Sequence, residues 1–352
     1  MPTADPHARP RPTPPALADA PVLAHVVRGG VVESVHRASV AVTGPDDRLE
    51  QVWGDAEDPV FPRSSLKPLQ AVAMLRAGLD LPPPHLALAC ASHSGEAFHL
   101  DGVRAVLADA GLAETDLRNT PDLPYDPLER DAWVAAGRPP RALAQNCSGK
   151  HAAMLATCRG RGWDLDTYLD PDHPLQRLAA ETTQDLTGSP VAATVVDGCG
   201  APAFAVPLAG LARAFGRLAA ADPGTDEGRV AAAVRAHPDL VGGTRRDVTA
   251  LLRGTPGVVA KEGAEAVHAV GLPDGRGVAL KVVDGGSRAR AVVLAAVLRR
   301  LGVASDAYDR LEDAPVLGHG EPVGAVVAAD LGTTVRVVDP AGPGTPAEGT
   351  AG

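Results

Sequence analysis

Two blocks of strand-forming residues at opposite ends of this chain constrain its fold more than any other feature. At the front, 22–28 is a strand, Gly29-Gly30 is a hairpin signal, 31–42 continues as a β-branched strand, 44–47 turns, and 49–53 returns. Towards the other end, 258–261, 278–284 and 325–338 read as strands. Between and beside them, helical spacing covers 66–77, 98–111, 130–136, 174–186 and 288–301, and Leu208, Leu211, Phe215 and Leu218 mark one further amphipathic helix. Strands at both ends with helices between predict an α/β (α+β) body whose antiparallel sheet is closed by its own termini. Hydrophobic residues are 45% of the chain but aromatics only 3%, so the core must be built from Ala, Val and Leu. There is no internal repeat.

The 352 residues allow one large domain, which we place at 22–338, flanked by Pro-rich or Pro/Gly-rich tails at 1–21 and 339–352 that read as disordered. A net charge of −10 with no basic run argues against nucleic acid or an anionic membrane as partner. No apolar run reaches about 20 residues, and the first 21 lack the apolar stretch of a signal peptide, so a cytoplasmic location is expected.

Chemistry concentrates first in 61–70, where Ser64 and Lys67 stand at the start of a periodic run. On a helix that spacing projects both from one face. Pro68 is tolerated only in a first turn, so the helix begins at or just after Ser64, near the positive end of its dipole. A serine hydroxyl needs a base within reach, and a lysine serves only without its extra proton, a state favoured by burial and by a neighbouring cation.

Four more loops dense in small polar residues surround Ser92, Cys147, Cys199 and Lys261. Gly, Ser and Asn are ordinary turn residues, so one such loop means little, but five holding serines, lysines and cysteines point to a site. Lys150 and His151 follow Cys147 by three and four residues, so either shares a helix face with it. Two cysteines and a histidine with one open position suit zinc, and His151 is the better third donor on first principles. Two buried free thiols are the alternative. Cys90 and Cys158 lie in apolar stretches and belong to the core. Four cysteines in so long a chain make no disulfide framework.

Six motifs taken together resemble the bacterial asparaginase II (thermolabile asparaginase) family and not the threonine-nucleophile asparaginases. They stand as FPRSSLKPLQ (61–70), ACASHSGE (89–96), NCSGKHAAM (146–154), DGCGAP (197–202), GTRRD (243–247) and KEGAE (261–265), in the family's order and close to its spacing. The resemblance, which runs from about 22 to 338, implies a fold related to serine β-lactamases and glutaminases, a homodimer, and hydrolysis of L-asparagine to L-aspartate and ammonia. By motif position it implies two catalytic pairs, Ser64 with Lys67 and Ser92 with Lys261. It also implies Zn2+ held by Cys147, Lys150 and Cys199, so Lys150 replaces His151. Glu262 stands where the family more often has a small polar residue, and Ala266 where glycine is common.

The substrate's α-carboxylate needs a cation, for which Arg63, Arg245 and Arg246 are candidates. Its α-ammonium needs a carboxylate, for which Glu96, Asp197 and Glu265 are candidates, and Ser94 is a further polar contact. A glutaminase or β-lactam-reactive enzyme of the same fold is one alternative. A non-catalytic zinc or amino-acid sensor is another, although a sensor has no need of two Ser–Lys pairs.

Overall fold

The computed structural model describes residues 19–332 and the backbone pairing of 336–337. The expected tails lie outside these residues except for Asp19–Pro21, where Ala20 is buried and the Pro21 carbonyl accepts from the Ala38 amide at 3.1 Å.

The front meander forms as its turn residues dictate: β1 (Val22–Arg28), β2 (Val31–Thr43) and β3 (Leu49–Trp53). The back of the chain supplies β7 (Val259–Gly263), β8 (Val267–Gly271), β9 (Gly277–Val282), β10 (Pro315–Gly318), β11 (Glu321–Ala328) and β12 (Arg336–Val337). Every pairing is antiparallel, in the order β10-β11-β1-β2-β9-β8-β7, with β3 between β2 and β12. Ala24 opposite Ala328 and Ala38 opposite Val282 join front to back, so the sheet is closed by both ends of the chain. Beyond β3, β4 (Pro59–Val60) leads into the Ser64 turn, and β5 (Ala193–Val196) and β6 (Pro202–Pro207) complete a small second sheet with it.

The helical region begins with α1 (Lys67–Arg76), α2 (Pro83–Ala89), α3 (Ala97–Asp109) and α4 (Pro127–Ala135), and continues with α5 (Ser148–Arg161), α6 (Pro174–Thr187) and α7 (Leu208–Ala220). After these come α8 (Asp226–Ala236), α9 (Pro238–Val241), α10 (Asp247–Gly254), α11 (Arg290–Arg300) and α12 (Tyr308–Glu312). Pro68 sits in the first turn of α1, as its missing amide requires. Leu208, Leu211, Phe215 and Leu218 of α7 are all fully buried against the sheet. That helix approaches so closely that a Cβ on Gly271 would lie 1.8 Å from the Phe215 carbonyl, and one on Gly277 1.8 Å from that of Ala212. The core is overwhelmingly Ala, Val and Leu, as the scarcity of aromatics demanded.

Some elements were not read from the sequence. Helix α2, which Pro83 starts from its first turn, is one of them. In β6 a proline at each end hid a buried strand inside an apparent loop. Alanine-rich α8, capped by Thr225 on the Gly228 amide, carries too weak an apolar stripe to be seen. No helix among the described residues is long and apolar enough to cross a membrane.

Candidate active site

Ser64 lies in one turn of 3-10 helix, 63–66, that runs into α1. Arg63 before it adopts φ 52°, a left-handed conformation that costs a non-glycine residue energy and occurs where a site over-determines the backbone. The turn is fixed to β7. Ser65 Oγ donates to the Lys261 carbonyl at 3.0 Å, and a Cβ on Gly263 would lie 2.2 Å from the Pro62 carbonyl, so only glycine allows this contact. Ser64 is half-buried, and its hydroxyl makes no hydrogen bond to the described residues.

Three members of the two expected pairs, Lys67, Ser92 and Lys261, form one cluster. Lys67 Nζ donates to the Ala91 carbonyl and lies 3.1 Å from Ser92 Oγ. Lys261 Nζ lies 2.9 Å from the same oxygen. Ser92 Oγ therefore stands between two amines, and Lys67 is hydrogen-bonded to Ser92, not to Ser64 one turn away. The Ala91–Ser92 loop wins the Lys67 amine because it offers a carbonyl and a hydroxyl together inside the protein. That loop is held by the Ser92 amide on the Val241 carbonyl and the His93 amide on the Asn146 carbonyl, both at 3.0 Å.

Burial drives Lys261 down to about 8, and Lys67 and Arg246 press the same way, while Glu262 opposes them. Burial alone would raise the Glu262 carboxyl, yet Lys261, Arg246 and Arg290 bring it to about 2, so it is a carboxylate. The Cys90 thiol nearby is pushed up to about 12 by burial and remains protonated.

The composition carries a signal that motif reading passed over. The sequence has 33 Lys plus Arg, of which only four are lysines: Lys67, Lys150, Lys261 and Lys281. The first three are each at most 2% exposed, and all three belong to the candidate site. Arginine cannot be deprotonated in a protein, so among the lysines and arginines of this chain the lysines alone could give up a proton.

The second half of the site is sulfurous. Cys147 precedes the first turn of α5 and Cys199 lies in the turn between β5 and β6; both are buried. Lys150 Nζ is 3.3 Å from Cys199 Sγ. A hydrogen bond from Cys147, together with Lys150, overcomes burial and brings Cys199 down to about 5, whereas the same bond and burial push Cys147 up to about 12. His151 instead engages the Tyr168 hydroxyl through Nδ1 at 2.8 Å, which takes it away from the sulfurs. Among the described residues no group of three or more His, Cys, Asp or Glu side chains could hold a metal, and the Lys150 amine lies beside the Cys199 sulfur.

The substrate-binding candidates divide. Arg63 and Asp197 pair with each other at 2.6 Å. Arg63 also lines a cavity of about 310 Å³ with Phe61, Val195, Glu265 and Lys281. Arg246 donates to Glu262 at 2.8 Å and to the Ser92 carbonyl at 3.4 Å. Glu96 places its two oxygens on the Thr244 amide and hydroxyl, each at 2.8 Å, and Ser94 donates to the Gly242 carbonyl. Arg245 points away, to Asp126 and Glu129. The structure thus gives Ser94, Glu96 and Arg245 partners that fix the 242–245 loop.

An antiparallel sheet with a helical region makes this a mixed α/β protein, and its candidate site holds a half-buried serine and a second serine between buried lysines. The family model for L-asparaginase II matches residues 24–328, and the chain belongs to that family. No curated protein matches the sequence. Among solved structures, the chain is similar to a β-lactamase from Mycobacterium bovis at 16% identity, over 81% of this chain and 98% of that one, with a TM-score of 0.41. It is also similar to Mglu in its native form at 18% identity, over 82% of this chain and 70% of that one, with a TM-score of 0.38. At such scores these likenesses say nothing of this chain's chemistry. Family membership makes it an amidohydrolase with a small-molecule amide as substrate.

Proposed function

We propose that the protein hydrolyses L-asparagine to L-aspartate and ammonia, with Ser64 as nucleophile and Lys67, Ser92 and Lys261 as its proton relay. The observation that carries this reading is the line of Lys67 Nζ, Ser92 Oγ and Lys261 Nζ, with steps of 3.1 and 2.9 Å, one helical turn from the unpartnered Ser64 hydroxyl. Near neutral pH, Lys261 at about 8 can shed its proton. Lys67 then passes a proton to Ser92 Oγ as Ser92 gives its own to Lys261, and the freed Lys67 amine takes the proton of Ser64. Ser64 Oγ attacks the side-chain amide carbon, Lys67 gives its proton to the amide nitrogen, and the C–N bond breaks to release ammonia. Water gives a proton to the same amine and attacks the β-aspartyl ester, the ester C–O bond breaks, and Lys67 returns that proton to Ser64 Oγ. The Arg63–Asp197 pair offers the two charges that a zwitterionic amino acid requires, a cation for its carboxylate and a carboxylate for its ammonium.

Cys147, Cys199 and Lys150 would hold Zn2+: two sulfurs and one amine fit its soft, four-coordinate chemistry and leave a position open. The ion would supply a fixed positive charge for orienting substrate. A homodimer and a cytoplasmic location remain part of this reading, and light scattering on the purified protein checks the first.

A second reading has Ser92 as the nucleophile, because both amines touch its oxygen. Ser64 is preferred because it is open to substrate whereas Ser92 is 5% exposed. The deciding experiment measures ammonia release from asparagine and glutamine, and acylation by a β-lactam, in the wild type, Ser64→Ala and Ser92→Ala. Asparagine turnover that vanishes in Ser64→Ala supports the assignment. Undiminished turnover in that variant, or an acyl adduct mapped to Ser92, refutes it.

A further inference from the structure

Behind Ser92 lies a buried cluster of charges that the reaction as written does not use. Glu262 is 2% exposed, and its carboxylate takes a hydrogen bond from Arg246 Nη2 at 2.8 Å and stands 3.0 Å from Lys261 Nζ. Lys261 Nζ also donates to the Glu262 carbonyl at 2.9 Å, so its hydrogen bonds go to Ser92 Oγ and to that carbonyl, while Glu262 Oε2 stands beside it as an ion contact without a hydrogen bond. From α10 and α11, Asp247 and Arg290 pair at 2.6 Å. Directly across the β7–β8 ladder from Glu262 stands His268, fully buried with neither ring nitrogen hydrogen-bonded; burial and Arg290 push it down to about 3, so it stays neutral. From α1 comes Lys67, from the end of α2 the neutral Cys90 thiol, and Tyr125 lies under the Arg246 guanidinium, 4.4 Å from it.

The charges that act on the Lys261 amine are therefore Lys67 and Arg246 against Glu262, while Asp247 and Arg290 pair with each other on the far side of Glu262. Of the two anions, Glu262 alone touches Lys261. We infer that Glu262 is a positioning residue for the proposed relay: clamped by Arg246, it holds the Lys261 amine on Ser92 and sets the pH at which that amine can accept a proton. A neutral side chain here leaves Lys67 and Arg246 facing the amine with no anion in contact with it, and such a surplus disfavours the ammonium. Residue 262 thus tunes the working pH range of the proposed relay. This rests on the hydrolytic reading above, and its test has a readout independent of turnover.

The whole chain has four lysines, so protein labelled with 13C and 15N at lysine gives four side-chain signals, and loss of one in Lys261→Met assigns Lys261. The midpoint of that signal's titration is measured in the wild type and in Glu262→Gln, with the pH dependence of kcat/KM for asparagine alongside. In Glu262→Gln the midpoint moves down by about one pH unit or more, roughly the effect of a neighbouring opposite charge, and the acid limb of the rate profile moves with it. Arg246→Gln, which removes a cation, moves both the other way and serves also if Glu262→Gln does not fold. A midpoint unchanged in folded Glu262→Gln, or shifted downward in Arg246→Gln, overturns the inference. Absence of amide turnover in the wild type would defeat the functional reading and leave the titration to judge Glu262 by itself.

Discussion

Lys261 and Lys150 are the same residue type, equally buried, on either side of the Ser92–His93 loop, and their environments push them in opposite directions. Burial opposes the ammonium at both. Around Lys261 the neighbours include Lys67 and Arg246, Glu262 only partly compensates, and the amine falls to about 8. Around Lys150 the neighbours are Cys199, Cys147 and Asp197, and together they outweigh burial and raise it. The difference teaches that depth fixes how much a neighbour's charge matters, while the neighbours' sign fixes the outcome. Lys261 is thereby brought nearer to losing its proton, as the proposed relay requires, whereas Lys150 holds its proton beside the Cys199 sulfur.

The largest effect that bears on this contrast is at the nucleophile. Ser64→Ala should lower kcat for asparagine by about 10⁴ or more with an unchanged circular dichroism spectrum. Next, Lys261→Met should cost about 10²- to 10⁴-fold in kcat, the worth of a general acid–base group, while Lys150→Met should act mainly through KM and metal content. Equal kcat losses from the two would erase the contrast. Removing metal with a chelator should likewise raise KM more than it lowers kcat, measured by ammonia release before and after zinc is restored.

A smaller effect appears in stability. Because folding lowers the Lys261 value from 10.5 to about 8, the unfolded chain binds more protons between those limits. Unfolding free energy should therefore rise with pH across that window, by at most about 1.4 kcal/mol per pH unit, and the rise should be missing from Lys261→Met in urea titrations. The smallest effect lies outside both clusters. Arg245→Ala breaks half-exposed ion pairs to Asp126 and Glu129 and should change stability by about 1 kcal/mol or less and leave KM unaltered. A large rise in KM would return Arg245 to the substrate.

Much of this was legible in the residues. Hairpin signals at Gly29-Gly30 and 44–47 fixed the front meander, and Pro68 fixed where α1 could start, because turn and first-turn chemistry are local. The loops at Ser92, Cys147, Cys199 and Lys261 stood out for the same reason. Less legible were β6 and α8, whose burial comes from elements far along the chain. Between Lys150 and His151, adjacent on one helix, elementary ligand preference chose the histidine, and only the position of Tyr168 shows that its ring is engaged elsewhere.

By itself the sequence determined the alternation of strand and helix, an aromatic-poor core and the restriction of lysine to four positions, since each follows from residue type and near-neighbour spacing. Tertiary structure alone decided that Lys67 turns to Ser92 and not to Ser64, that Arg63 meets Asp197, and that Glu262 sits between Arg246 and Lys261. Electrostatic partnership is settled by distance in a low-dielectric interior, and the partners here come from positions 25, 134, 16 and one residues apart. No local rule contains that information.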